Sequence, residues 1–130
     1  MKKIIIILLT LFLIFIIAIG VFLKSLKNDT VVEIKEYKLT TILDKSMEPE
    51  IKAKELIIIK PFPEYNLDDI ITYTDNSGKF VTHRITQIDE YSFFAKGDNN
   101  DYADDNMEIG NIQGKVVFHS RLLGILYNLI

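Results

Sequence analysis

The sequence contains no cysteine. Disulfides, thiolate metal sites and a cysteine nucleophile are therefore excluded. The compartment stays open, since a cysteine-free chain suits either side of a membrane. Basic charge is also in short supply. Lys and Arg number 15 against 18 Asp and Glu, a net charge of −3. Lys2 and Lys3 supply two of those positive charges, so residues 24–130 carry −5. A nucleic-acid surface needs the opposite balance, which argues against nucleic acid as a partner. Histidine is scarce too: His83 and His119 are the only two.

Charge is missing altogether from residues 4–23, where Thr10 and Gly20 alone interrupt an aliphatic and aromatic run. A helix of 20 residues is about 30 Å long, the thickness of a bilayer's hydrocarbon core. The run therefore reads as a membrane anchor that contacts lipid. A cleaved signal peptide fits less well, because its apolar core is usually about 7–15 residues. A buried core helix fits worst, because so short a chain could hardly cover it. Lys2 and Lys3 before the run nearly balance Lys24 and Lys27 after it, so charge does not fix the orientation. The expected division is a short tail (1–3), the anchor (4–23), a polar linker (24–30) and one domain (31–130).

That domain reads as mostly β. Residues 31–43, VVEIKEYKLTTIL, are rich in β-branched side chains and read as one strand leading to Ser46. Strand candidates follow at 55–60, 69–74, 79–88, 91–96 and 114–120. PFPEYN (61–66) and DNSG (75–78) break the chain between them. In 79–88 the alternation puts Val81, His83 and Ile85 on one face, and 91–96 follows closely enough for a hairpin. Residues 97–106, GDNNDYADDN, form a polar loop. No repeats appear, and no soluble helix longer than two turns is expected. The apolar segment 122–130 is too short to span a bilayer and either packs on the domain or dips into the interface.

Three features could carry chemistry, and each has a plain structural reading when taken alone. Ser46 sits before a proline-containing turn, and a serine hydroxyl is a poor nucleophile without a base. His83 lies in a strand beside Val81 and Ile85, as a hydrogen-bonded core histidine would. Its ordinary pKa near 6.5 also suits a general base. His119 has no supporting neighbours in sequence and reads as structural. The acidic loop holds Asp98, Asp101, Asp104 and Asp105. It fails the EF-hand pattern, because Tyr102 and Ala103 occupy the fifth and sixth positions counted from Asp98. A solvated turn is the plain alternative.

Taken together and in order, the three are more specific. S-M-E-P-x-I (46–51), V-T-H-R-I (81–85) and K-G-D-N-N (96–100), with Asp104 six residues after Asp98, resemble the type I signal peptidases. The likeness is to the endoplasmic-reticulum-type branch. That branch includes the SipW-like enzymes of Gram-positive bacteria, the archaeal enzymes and the eukaryotic signal peptidase complex subunit. It has a histidine where the commoner bacterial branch has a lysine base. The resemblance covers about residues 43–114 plus the N-terminal anchor.

It implies a signal-peptidase-like catalytic β domain on one transmembrane helix, extracytoplasmic and close to the bilayer of the cell membrane. Its substrates would be secretory preproteins, cut after small-x-small sites. Ser46 matches the nucleophile, His83 the general base, Asp104 the required aspartate and Asp98 a second acidic position. Asp105 would replace Asp104 under a one-residue gap, and backbone N–H groups near Ser46 would hold the oxyanion. No metal or organic cofactor is implied. Two departures stand out. Asp44 occupies a position where a small hydroxyl residue is usual and, in the lysine branch, helps form the oxyanion hole. Lys54-Glu55 stands where Gly-Asp is usual. Two other functions stay open: a Ser-Lys peptidase using Lys96 or Lys79, and an inactive anchored β module that binds envelope proteins.

Overall fold

The structure is a computed structural model and describes residues 1–27 and 32–129. Its first element is a single helix, α1 (Lys2–Lys27). It runs four residues past the expected anchor, so Lys24 to Lys27 are helical rather than linker. Residues 28–30 of the expected linker, together with Val31 and Ile130, lie outside the described residues. The segment Lys2–Lys24 has a mean hydropathy of 3.4 and none of it is buried against the domain. The Thr10 hydroxyl donates back to the Ile7 carbonyl at 2.8 Å, so the one polar side chain inside the run is satisfied within the helix. Among the described residues this is the one helix long and apolar enough to cross a membrane.

Eight strands follow: β1 (Val32–Ile34), β2 (Tyr37–Thr41), β3 (Leu56–Lys60), β4 (Ile70–Thr74), β5 (Phe80–Ile88), β6 (Ser92–Lys96), β7 (Met107–Glu108) and β8 (Ile112–Ser120). They form one antiparallel sheet in the order β1-β2-β3-β8-β4-β5-β6-β7. The late strand β8 thus inserts between β3 and β4 and ties the two halves of the domain together. A helix, α2 (Arg121–Leu129), follows β8.

Strand β7 lies outside the expected strand segments, and two further elements differ from expectation. Residues 31–43 are not one strand. Lys35 adopts a positive φ of 57°, and Ile34 pairs with Tyr37 across a two-residue turn. No glycine or asparagine marks that turn, so composition hid it. Residues 121–129 are a helix of two and a half turns, longer than any soluble helix expected.

The core has two parts. Ile71, Tyr73, Ile85, Phe93, Ala95 and Met107 fill one, with Tyr73 and Phe93 packed edge-to-face at 5.1 Å. Ile42, Met47, Ile51, Ile57 and Ile59 fill the other. The second part explains the S-M-x-x-x-I spacing. Met47 and Ile51 are fully buried, and Ile51 N–H donates to the Met47 carbonyl at 3.0 Å. The turn closed by that bond therefore sets both side chains into the core and leaves Ser46 at the rim.

Candidate active site

Three segments meet at the rim. The loop from β2 to β3 carries Ser46. Strand β5 carries His83, which lies opposite Ile71 of β4 and is only 6% exposed. The loop from β6 to β7 carries Asp104, whose backbone N–H donates to the Ala95 carbonyl at 2.8 Å. His83 lies between the other two. Its Nε2 is 3.2 Å from Ser46 Oγ, and its Nδ1 bonds Asp104 Oδ2. With Nδ1–H given to the carboxylate, the Nε2 lone pair faces the serine. That tautomer is the one that can accept a hydroxyl proton.

The site opens on a groove of about 1210 Å³, walled by the end of β2, the start of β5 and the loop holding Asp104 and Asp105. An extended chain could lie there beside a strand. Among the described residues no group of three His, Asp or Glu side chains is gathered to hold a metal.

Asp44 does not point away. Its Oδ1 accepts the Ser46 hydroxyl at 2.6 Å and the Ser46 backbone N–H at 3.0 Å. These bonds, the hydroxyl's first, hold the Asp44 carboxyl below the usual carboxylate range. The backbone N–H expected to hold an oxyanion is thus already engaged by an anion. Asp75 makes the same pair of contacts to Ser77, so the turn is a local habit of Asp-x-Ser in this chain.

Comparison with known proteins gives the family. The Peptidase S24-like family model matches residues 22–117. The chain belongs to the Peptidase S24-like family. Within that family it is similar to signal peptidase I W of Bacillus subtilis (strain 168), with 40% identity over 75 residues. The match covers 52% of this chain and 40% of that relative, so the chain spans well under half the length of the relative it matches. The relative supports the signal-peptidase resemblance read from the motifs.

The other expected residues of this S24-like domain take different places. Asp98 does not touch His83. Its two oxygens bind Arg84 Nε at 3.0 Å and Nη2 at 2.9 Å, while Arg84 Nη1 donates to the Asp68 carbonyl at 3.1 Å. The pair lashes the start of the acidic loop to β5 and raises the Arg84 pKa. Asp105 is exposed on the groove wall, and Asp101 is exposed in the same loop. The Lys96 ammonium donates to the Gly97 carbonyl at 3.2 Å rather than to Ser46, while Lys79 lines the groove. His119 pairs with the buried Glu55 at 3.1 Å, which fixes the end of the Ser46 loop where Gly-Asp is usual in relatives.

Sequence reasoning missed two contributors. The Tyr73 hydroxyl donates to Asp104 Oδ2, the same oxygen that meets His83. Burial and that anionic neighbour push the phenol well above its ordinary pKa, so it stays a donor. Residues 69–74 read only as a strand candidate, which gave no sign of Tyr73 or its partner. The second is Gly97. A Cβ there would come within 2.6 Å of the Ser46 carbonyl and of the Asn100 side chain. Asn99 N–H donates to that carbonyl at 2.8 Å, and Asn99 Nδ2 to the Lys45 carbonyl at 3.1 Å. The glycine lets the two loops touch, and Asn99 stitches them.

Proposed function

We propose that the chain is a membrane-anchored serine endopeptidase, a signal peptidase that removes signal peptides from secretory preproteins. One observation carries the reading: His83 bridges Ser46 Oγ and the Asp104 carboxylate. Ser46 is the nucleophile, His83 the general base and Asp104 the group that orients His83 and stabilises its charged form. Asp98 acts at a distance, through Arg84. In this reading α1 spans the cell membrane and the domain, residues 31–130, lies on the extracytoplasmic side. Tethering enzyme and membrane-held substrate to one surface raises their effective concentration.

The chemistry is acyl transfer. His83 Nε2 takes the Oγ proton as Oγ bonds to the scissile carbonyl carbon. The tetrahedral intermediate collapses as His83 gives that proton to the leaving amine. Water then attacks the acyl-serine as His83 takes its proton, and His83 returns that proton to Ser46 Oγ as the second tetrahedral intermediate collapses and the signal-peptide acid leaves. No cofactor enters this scheme. The hydroxyl proton must first turn from Asp44 to His83. That contact favours a second reading, an inactive anchored module that binds envelope proteins.

The test uses membranes bearing wild type, Ser46→Ala or His83→Ala and a preprotein with a small-x-small site. Cleavage by wild type, lost in both variants at equal membrane levels, supports the reading. Loss in Ser46→Ala alone moves the base to a lysine. No cleavage by wild type, restored by Asp44→Ser, marks an inactive native site. No cleavage by either overturns the reading.

A further inference from the structure

A helix on a folded domain normally turns its apolar stripe inward. α2 does the reverse. Leu122, Ile125, Leu126 and Leu129 recur at the i, i+3, i+4, i+7 period, and they are 66%, 49%, 47% and 77% exposed. The side facing the domain is centred on Gly124, with Tyr127 half-buried three residues on. Gly124 is the one buried residue of the helix, and a Cβ on it would run into the Lys54 carbonyl. Asn128, one turn later, donates Nδ2 to that carbonyl at 3.4 Å and to the Gly124 carbonyl at 2.8 Å. α2 is thus clasped through Gly124 and Asn128 to the end of the Ser46 loop, with its apolar stripe turned outward.

The sheet register says what lies on that side. Val32, where the chain enters the domain from α1, pairs with Leu39. Leu39 pairs with Ile58, and Ile58 with Phe118. Ser120, where α2 starts, is two residues along from Phe118, in a row with Leu56 and Thr41. Val32 and the Ser120 end of β8 therefore lie toward the same end of the sheet, three strand spacings or about 14 Å apart across it. Lys27 and Val32 are five residues apart, a reach of at most about 18 Å. Basic charge lies beside α2 itself, while Glu48 and Glu50 sit further back on the same loop. α2 carries Arg121 and no acidic residue, and Lys52 and Lys54 are exposed on the loop that it clasps.

We infer that α2 lies in the headgroup–acyl boundary of the bilayer that α1 spans, with its Leu122–Leu129 stripe in lipid. The inference rests on the anchor reading proposed above and adds a second membrane contact. A helix with an apolar stripe and a basic flank is held at such an interface by apolar burial and anionic lipid. Because α2 is bound to Lys54, eight residues from Ser46, this contact sets the height of the nucleophile above the membrane. Its substrate class is accordingly a peptide whose scissile bond emerges at the bilayer surface.

The chain has no tryptophan, so one introduced residue reports alone. Leu126→Trp, in the full chain reconstituted into vesicles of phosphatidylcholine and phosphatidylglycerol, should emit at blue-shifted wavelengths. Lipids brominated near the headgroup should quench it more than lipids brominated near the chain ends. Leu129→Trp should behave alike and guards against a local defect in the first variant. Phe15→Trp in α1 should be quenched most by the deep bromines. Phe15→Trp unquenched by any lipid would remove the anchor reading and this inference together. Phe15→Trp quenched with both α2 probes unquenched and red-emitting would overturn this inference alone. Blue-shifted α2 emission without bromine quenching would mean that protein, such as a second copy of the chain, covers the stripe, and would also overturn it. None of these readouts needs Ser46, so the result is independent of the proposed peptidase activity.

Discussion

Asp44 and His83 face the same oxygen. The Asp44 carboxylate lies 2.6 Å from Ser46 Oγ and His83 Nε2 lies 3.2 Å from it. The hydroxyl has one proton, and the shorter contact to the anion holds it. Asp44 also holds the Ser46 backbone N–H, the donor best placed to meet a developing oxyanion. In the proposed peptidase this arrangement is a resting state that a substrate carbonyl must displace.

The first prediction follows from that competition. Asp44→Ser keeps a short polar side chain for the turn and removes the anion from Ser46. Its kcat should exceed that of wild type by about tenfold or more, since one oxyanion donor is worth roughly 10²–10³ in kcat. The pH sign is definite. The folded-state pKa of Asp44 is lowered, so its contacts add stability above the ordinary carboxylate value and lose it as pH falls through the lowered one. Asp44 therefore stays ionised wherever a neutral histidine can act. The ratio of Asp44→Ser to wild-type kcat should stay flat from about pH 6 to 9. A slower Asp44→Ser enzyme would instead make Asp44 a support of the turn.

Asp104 and Asp98 should separate activity from stability. Asp104→Asn removes the anion from His83, and kcat should fall by about 10²–10⁴ while the fold persists. Tyr73→Phe removes one donor to the same carboxylate, and the fold should lose about 1 kcal/mol. Asp98→Ala leaves Arg84 without its partner. That change should cost about 1–2 kcal/mol, or a Tm drop of roughly 4–16 °C for a domain of this size. Its residual kcat, measured well below the new Tm, should stay within a fewfold of wild type. Thermal melts and initial rates on the same three preparations check all of this. Equal losses of kcat in Asp98→Ala and Asp104→Asn would contradict the division.

Much of this was legible in the chain. The long apolar N-terminal helix and most strand positions could be read from hydropathy and alternation, and the fold brings together Ser46, His83 and Asp104, which the ordered motifs had singled out. Other features were hidden because the signal lay in partners rather than in residue types. Lys35 makes a hairpin turn without a turn residue. Tyr73 sits in a strand candidate like any core aromatic. Asp98 and Asp104 look alike in one acidic loop, and only the position of Arg84 on β5 sorts them. The α2 segment showed its apolar content but not its direction, which depends on Gly124 meeting the Lys54 backbone.

Gly97 offers the last prediction, since it joins two of the three site segments. Its buried backbone lies where a methyl group would meet the Ser46 carbonyl and the Asn100 side chain at 2.6 Å. The Asn100 side chain can turn aside, but the Ser46 carbonyl is backbone held by Asn99 N–H. Gly97→Ala must therefore push the Ser46 loop away from the acidic loop, at a cost of about 1–3 kcal/mol for overpacking. A shift of even 1 Å lengthens the 3.2 Å approach of Ser46 Oγ to His83, and misplacement on that scale costs roughly 10² in rate. Gly124→Ala, assayed in detergent on a soluble peptide so that the membrane contact of α2 plays no part, is the matched control, because its added methyl meets backbone at the far end of the same loop. Both variants should melt earlier, and Gly97→Ala should lose far more kcat for the same loss of Tm. Parallel losses would mean that the loop moves as one body and that Gly97 has no special hold on the nucleophile.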